Sequence, residues 1–399
     1  METSLNWKAF ELYDIAFFYM YPGLLHMNPE ERIITKHKPN WKLAPWFFIQ
    51  IFGISLSSLL TLVIILRETT YPTGRFSVME LTIFITMLST MILILGFCLV
   101  PILVPENVSI LNEMFQWEKK LELDFPHQFA EIREEDSKKV NLIGLILCSS
   151  TCLLSLFPFP VMLFTAIFNI DQFNYVFEEF LPSPMERETV DHILIPMLAR
   201  VSLIGVQMFE GSRTLVNSFN LMACYVYSVT CGLRILGKIR NAKEFIPRYR
   251  QIQMLCMLNK GPAGFMGALL ICVGQVATTV LLWMTINGYE LVPTVLMYVL
   301  FPVGALGAIC FTIIMFEQSI AIYELTDGLV VKTWRIGCVT RLIVDERREL
   351  LISREIKRVA RSLKPFAMTV GPIRPIKKGF QIEYLDLLMS NLTNALLLI

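Results

Sequence analysis

The sequence predicts an all-α membrane protein with seven transmembrane helices, and three observations carry that prediction. Hydrophobic residues make up 54% of the 399 and charged residues 17%, against about 45–50% and about 25% in soluble chains. Mean hydropathy is +0.56. The apolar residues gather into runs of bilayer length, about 20 residues each, separated by charged segments. With 35 Lys and Arg against 34 Asp and Glu, the net charge is +1, so no polyelectrolyte partner is implied. This arithmetic excludes a nucleic-acid-binding stripe, a disordered chain and an ordinary cytosolic enzyme.

The first expected span is Leu43–Leu66, free of charge throughout. The second is Met79–Val104, with Glu80 at its edge, and the third is Asn141–Phe168, which Pro158 and Pro160 should kink near its far end. The fourth lies in Ile193–Leu236, which carries Arg200, Glu210, Arg213 and Arg234. As one helix it would run roughly 66 Å, so its first turns should project into water and Thr214–Ile235 should cross. Glu210 and Arg213, three apart, can pair on one helix face; the expectation is that this turn faces extracellular water. The fifth and sixth spans, Ala263–Ile286 and Val292–Met315, form a tight hairpin, and the seventh is Phe380–Ile399. Between the last two, Phe316–Gly379 alternates apolar and charged residues and predicts about two water-side helices. The divisions expected are therefore residues 1–315, a cytoplasmic anchor over 316–379, and a final helix over 380–399.

Orientation follows from the Lys/Arg excess of cytoplasmic loops. One alternate set of segments holds 29 basic residues and the other 3, the rest lying in the fourth helix. The N-terminus is expected inside and the C-terminus outside. A G-protein-coupled receptor has the reverse orientation, which would put the acidic loop Asp171–Asp191 in the cytosol. No cleavable leader is expected, because the early apolar run at Ala16–Tyr21 is too short. The nine cysteines are scattered through apolar stretches and do not read as a disulfide framework. Cys148 and Cys152 lie one helical turn apart, but no His or acid joins them, so packing rather than metal binding is expected. No catalytic set, phosphate loop or cofactor motif emerges. The Asn-x-Ser/Thr strings at Asn107 and Asn391 are expected inside and within the membrane, and so unglycosylated.

Three strings point to a family. Ser362-Leu363-Lys364-Pro365-Phe366-Ala367-Met368-Thr369-Val370-Gly371-Pro372-Ile373 precedes a last helix ending in Leu396-Leu397-Leu398; Asn112-Glu113-Met114-Phe115-Gln116-Trp117-Glu118 lies in the first inner loop; Cys231-Gly232-Leu233-Arg234-Ile235-Leu236 closes the fourth helix. Together with the inverted topology, they make the chain resemble the arthropod chemoreceptor superfamily, the insect-type odorant and gustatory receptors. The odorant receptors' aromatic-rich ending is absent, replaced by Ser390-Asn391-Leu392-Thr393-Asn394-Ala395, and so is the gustatory Thr-Tyr…Gln-Phe ending. The resemblance implies a plasma-membrane subunit of a tetrameric, ligand-gated, non-selective cation channel, with or without a co-receptor subunit. It also implies a last helix lining the pore, a cytosolic anchor, and a pocket for an odorant or tastant in the outer half of the bundle.

Candidate residues follow. In the last helix Ser390, Asn391 and Asn394 share a face that Leu397 and Leu398 continue. A polar face is costly against lipid and suits water, while an apolar end suits a dewetting gate. Glu383 and Asp386 at the other end would concentrate cations. Outer-half aromatic and methionine residues, Phe84, Met87, Phe157, Phe159, Met162, Met208, Trp283, Met297 and Tyr298, suit a pocket for small apolar ligands, although interhelical or lipid packing uses the same residue types. Trp334 is the expected subunit anchor. The basic run from Arg347 to Arg361 suits anionic lipid, bridges between subunits, or a solvated face. The rival function is a secondary transporter of a small solute, against which no internal repeat is visible.

Overall fold

The structure is a computed structural model of the whole chain. It describes residues 5–38, 40–72, 74, 76, 78–137, 142–162, 171–180, 191–239, 241–287, 295–343, 358, 362–371 and 374–397. Helix α1 (Leu5–Ala16) is followed by an antiparallel hairpin of β1 (Leu25–Asn28) and β2 (Ile33–Lys36), with His26 opposite Thr35. Asn28 makes the turn, its Oδ1 accepting from the amides of Glu30 and Glu31, each at 3.1 Å. Arg32 closes it at φ +56°.

The first spanning segment starts with a 3-10 turn over Trp41–Leu43, capped by Asn40, whose Oδ1 accepts from Leu43 N at 3.1 Å. It continues as α2 (Ala44–Phe47), with Pro45 in its first turn, a π-helical stretch over Phe48–Gly53, and α3 (Ile54–Thr70). Next come α4 (Val78–Leu103), α5 (Glu106–Asp124), α6 (Pro126–Ser137) and α7 (Leu142–Leu156). Helix α7 breaks at Phe157 and resumes over 158–162, the interruption expected at Pro158 and Pro160. Then follow α8 (Gln172–Phe180), α9 (Asp191–Lys238), α10 (Ala242–Leu258), α11 (Lys260–Asn287), α12 (Val295–Ile343), a short hairpin of β3 (Thr369–Val370) and β4 (Arg374–Pro375), and α13 (Phe380–Leu397).

Among the described residues, six helices are long and apolar enough to cross a membrane: Trp41–Thr70, Glu80–Leu103, Gly144–Met162, Met197–Lys238, Lys260–Asn287 and Phe301–Lys332. They coincide with the first six expected spans. The expected seventh span falls on α13, an 18-residue helix about 27 Å long, which is not among the six. The ambiguous fourth region is one continuous helix of 48 residues. The sixth helix does not stop near Met315 but runs unbroken for 49 residues to Ile343. The amphipathic pattern there arises because Ile322, Leu329 and Val330 join one apolar cluster with Leu233 and Leu236 at the end of α9.

That cluster, with Trp117, Leu121, Tyr249, Leu363 and Phe366, is the largest apolar core. It lies where α5, α9, α10 and the base of α12 meet, the end of the bundle that also carries the N-terminal hairpin; we call it the anchor end. The far end carries α8 and the C-terminus of α3. All eight described cysteines are free thiols.

Candidate functional site

The last helix divides into two faces. Tyr384, Leu388 and Leu392 recur every fourth residue and are buried, which is the spacing of a single helix side. Tyr384 and Phe380 each meet Phe316 of α12 edge-on with ring centroids 5.2 Å apart. Gln275 of α11 donates to Tyr384 O at 3.2 Å. Glu383, Asp386, Ser390, Asn394 and Leu397 lie on the opposite, exposed side, together with Thr393. Five of the seven predicted pore residues thus share one stripe. Asn391 is half-buried at its flank, and Leu398 lies outside the described residues. The bundle therefore buries one apolar row of α13 and leaves the polar row uncovered together with Ile382, Leu387 and Met389.

The predicted pocket residues disperse more. Phe84 is buried and meets Phe76 edge-on at 5.5 Å, and Phe76 in turn touches Tyr175 of α8 at 5.6 Å. Met87 is half-buried and packs towards Trp46 and Ile54. Phe157 is half-buried at the break in the third span. Phe159 is exposed but sets its edge on Phe209 of α9 at 4.9 Å. Met162 lies over Gly205, and Met208 is half-buried. Trp283 is buried in a cluster with Met284 and Leu392, against which Ile83, Ala395 and Leu396 pack. It thereby ties the far end of α11 to the last helix. The side chains of Met297, Tyr298 and Trp334 lie outside the described residues. None of the predicted pocket residues lines the cavity of about 190 Å³ at the anchor end.

The expectation that Glu210 and Arg213 project into water is overturned. They do pair on one face, 2.8 Å apart, but Glu210 is fully buried and Arg213 is 4% exposed. Arg213 also donates to Tyr21 O at 2.6 Å and lies over the Tyr21 ring at 4.9 Å. Gln50, in the π-helical stretch, donates to Glu210 Oε2 at 2.6 Å and to Thr214 Oγ1 at 2.8 Å. The wider π turn presents an amide inward from an otherwise apolar span, and such insertions recur at functional sites. No local pattern could have paired residues 50 and 210, which are 160 apart.

The three strings behind the family resemblance meet at the anchor end. Asn112 clasps β2, accepting from Ile34 N at 2.6 Å and donating to Ile34 O at 2.8 Å; Gln116 donates to Glu31 O at 3.0 Å. Met114, Phe115 and Trp117 fill the core between them. Trp117 lies flush on Gly232, where an added Cβ would come within 2.1 Å of the indole. Glycine is needed there for close approach. Glu118 is buried, accepts from Ser228 Oγ at 2.6 Å and pairs with Arg32 at 3.5 Å, while Arg32 reaches Glu122 at 3.2 Å. Burial pushes the Glu118 carboxyl above its ordinary value, against the pull of Arg32. The third string is held by its backbone. Lys364 O accepts from Tyr249 Oη at 3.0 Å and Gln253 Nε2 at 3.1 Å, and Phe366 O accepts from Thr326 at 2.9 Å. Gly371, at φ +60°, donates its amide to Gly264 O at 2.7 Å.

No protein-family profile and no curated protein matches the chain. Solved structures do. The olfactory receptor OR5 of the insect Machilis hrabei in complex with eugenol matches with a TM-score of 0.53 and 9% identity, over 99% of this chain and 98% of that one. A second structure of that receptor matches with a TM-score of 0.51 and 12% identity, over 98% and 97% of the two chains. At such identity the likeness is one of fold, and it runs from end to end. The chain is a multi-pass membrane protein with the fold of the insect olfactory receptors.

Proposed function

We propose that the chain is a chemosensory receptor of the insect-type chemoreceptor superfamily, working as a subunit of a tetrameric, ligand-gated, non-selective cation channel in the plasma membrane. The observation that carries this is the last helix. The bundle takes up Tyr384, Leu388 and Leu392, while Glu383, Asp386, Ser390 and Asn394 form a polar stripe on the exposed side, flanked by Ile382, Leu387 and Met389. Such a stripe is costly against lipid and is satisfied when four copies turn it to a common aqueous axis. Leu397 and Leu398 would then close the pore at one end, and Glu383 and Asp386 would ring the other with carboxylates. The N-terminus lies inside and the C-terminus outside, with α13 as the seventh span. Trp334 and the basic run beyond it serve the contact between subunits.

The ligand is a small, largely apolar molecule held at the far end among Phe84, Met87, Phe157, Phe159, Met162, Met208, Trp283, Met297 and Tyr298. The similar receptor that holds eugenol supports this chemistry. Trp283, sharing a cluster with Leu392 and packed near Leu396, gives the pocket a mechanical route to the gate.

Single cysteines at 383, 390, 394 and 397 should react with charged methanethiosulfonate reagents when eugenol or another agonist opens the channel, and the current should then change. Cysteines at 384, 388 and 392 should stay silent. Equal reactivity on both faces, or none on the polar one, removes α13 from the pore.

A further inference from the structure

The anchor end holds a half-open cavity of about 190 Å³, bounded by the N-terminal segment, α2, α4, α5, α9, α11, α12 and the β3–β4 hairpin. None of the described residues assigned above to the ligand pocket lines it. Its walls are chiefly apolar, with Trp46, Phe97, Met266 and Phe316 among them. The one formal charge among its lining residues, on Arg213, is matched by Glu210 at 2.8 Å. A charged guest would therefore find no counter-charge.

Three asparagines, Asn107, Asn217 and Asn259, and several hydroxyls interrupt the apolar surface, and two of the amides have an unpaired oxygen. The Oδ1 atoms of Asn107 and Asn259 are buried and accept no hydrogen bond, and Asn259 as a whole is 2% exposed. A buried acceptor left unpaired is costly, so a guest that donates to it gains more than its apolar contacts. Size sets the other limit. A cavity of about 150 Å³ suffices for benzene, so this one takes a single substituted ring.

We infer that this cavity is a second ligand site, for a neutral monocyclic molecule with a hydrogen-bond donor, such as a phenol or aryl alcohol. Its occupancy bears on the gate. Met368, Thr369 and Ile376 form part of the wall. They belong to the hairpin that leads into α13, where Ile376 N donates to Met368 O at 2.8 Å. A guest seated against that hairpin favours whichever hairpin position it contacts best and shifts the channel equilibrium accordingly. The gating half of the inference rests on the proposed channel function; the binding half does not.

The test is equilibrium dialysis of the purified full chain in lipid nanodiscs with 4-iodophenol, and with iodobenzene as the analogue lacking a donor. The wild-type protein should bind 4-iodophenol saturably and about tenfold more tightly than iodobenzene. Asn259→Leu and Asn107→Leu should each remove that advantage and leave iodobenzene binding as it was. Met266→Trp, which fills the cavity, should abolish both, and Leu203→Ala on an exposed helix face should change neither. If Asn259→Leu does not fold, Asn107→Leu at a less buried position gives the same comparison. Absence of saturable binding, or 4-iodophenol affinity untouched by all three cavity variants, overturns the site. For gating, 4-iodophenol should shift the half-activating concentration of a far-end agonist at least about threefold in wild type and not in Met266→Trp. Binding with no shift overturns the gating half alone. Saturable binding by a protein that passes no current under any agonist counts against the channel and leaves the site standing.

Discussion

Each end of the bundle buries an arginine–carboxylate pair, and the two are built differently. At the anchor end Arg32 reaches Glu118 and Glu122 from the turn of the N-terminal hairpin, Ser228 of α9 donates to the same Glu118, and the Trp7 ring lies 5.6 Å from the guanidinium. Four elements far apart in sequence converge on one carboxylate. At the far end Arg200 pairs with Asp171 at 2.8 Å and donates to Asn174 at 2.7 Å, while Asn174 N donates to Asp171 at 2.8 Å. These contacts join α9 to the start of α8. The anchor end is an interlock that ties the N-terminal hairpin to α5 and α9, whereas the far-end contacts join two elements. The proposed function places ligand response at the far end and assembly at the anchor end, and adjustable regions come from the less stable parts of a fold.

The largest expected difference concerns close-packed glycines. Gly232→Val would drive branched carbon into Trp117, which is itself hemmed in by the core, and should leave no monodisperse protein on detergent sizing. Gly205→Ala at the far end meets only the Met162 sulfur, 2.8 Å from the new Cβ. A flexible thioether yields, so the cost should be about 1 kcal/mol, read as a few degrees in Tm. Similar losses for both would erase the contrast.

Breaking the ion pairs comes next. Arg32→Ala strands Glu118 in the core and should cost about 3–5 kcal/mol. Arg200→Ala should cost less, because Asp171 keeps the backbone amide of Asn174. Thermal melts of the two variants in the same nanodiscs give the ranking; the reverse order would mean that the far end is the stiffer one.

The smallest effect is on pH dependence. Burial raises both Glu118 and Asp171 above their ordinary values of 4.5 and 3.8. A carboxyl raised in the folded state binds its proton more tightly there than when unfolded. Its stabilising contribution is complete below the unfolded value and is lost as pH rises through the folded one. Wild-type Tm should therefore fall as pH rises from about 4.5 towards neutrality, and Glu118→Gln should flatten that fall more than Asp171→Asn. Parallel profiles for wild type and Glu118→Gln would show that Glu118 does not titrate in this window.

Much of this architecture was legible because membrane spans announce themselves by length and polarity alone. Six of the expected spans needed no tertiary information, and the polar stripe Glu383–Asp386–Ser390–Asn394 follows from helical geometry. What escaped was non-local. The N-terminal segment was expected only to lie inside, yet Trp7 and Phe10 are buried and the hairpin docks on Asn112. Glu210 and Arg213 looked solvated because their partner, Gln50, lies in another span. The anchor-end cavity is assembled from eight regions of the chain, and neither the Asn-x-Ser string at Asn107 nor the sequence around Asn259 foretells that burial leaves their oxygens unpaired. The family strings were recognised as strings; that Trp117 and Gly232 touch needed coordinates.

Gly379 stands immediately before the last helix at φ +102°, and a Cβ there would touch nothing within 4 Å. The residue is thus demanded by torsion rather than by space, and it sits between a hairpin fastened to Gly264 and an 18-residue rod. The rod is about 27 Å long, so a turn of only about 10° at this one junction would carry its tip sideways by roughly 5 Å, close to the width of a hydrated ion's path. In the proposed channel, a lever with its fulcrum at Gly379 would turn small displacements of the hairpin into large ones at Leu397, with no helix having to unwind.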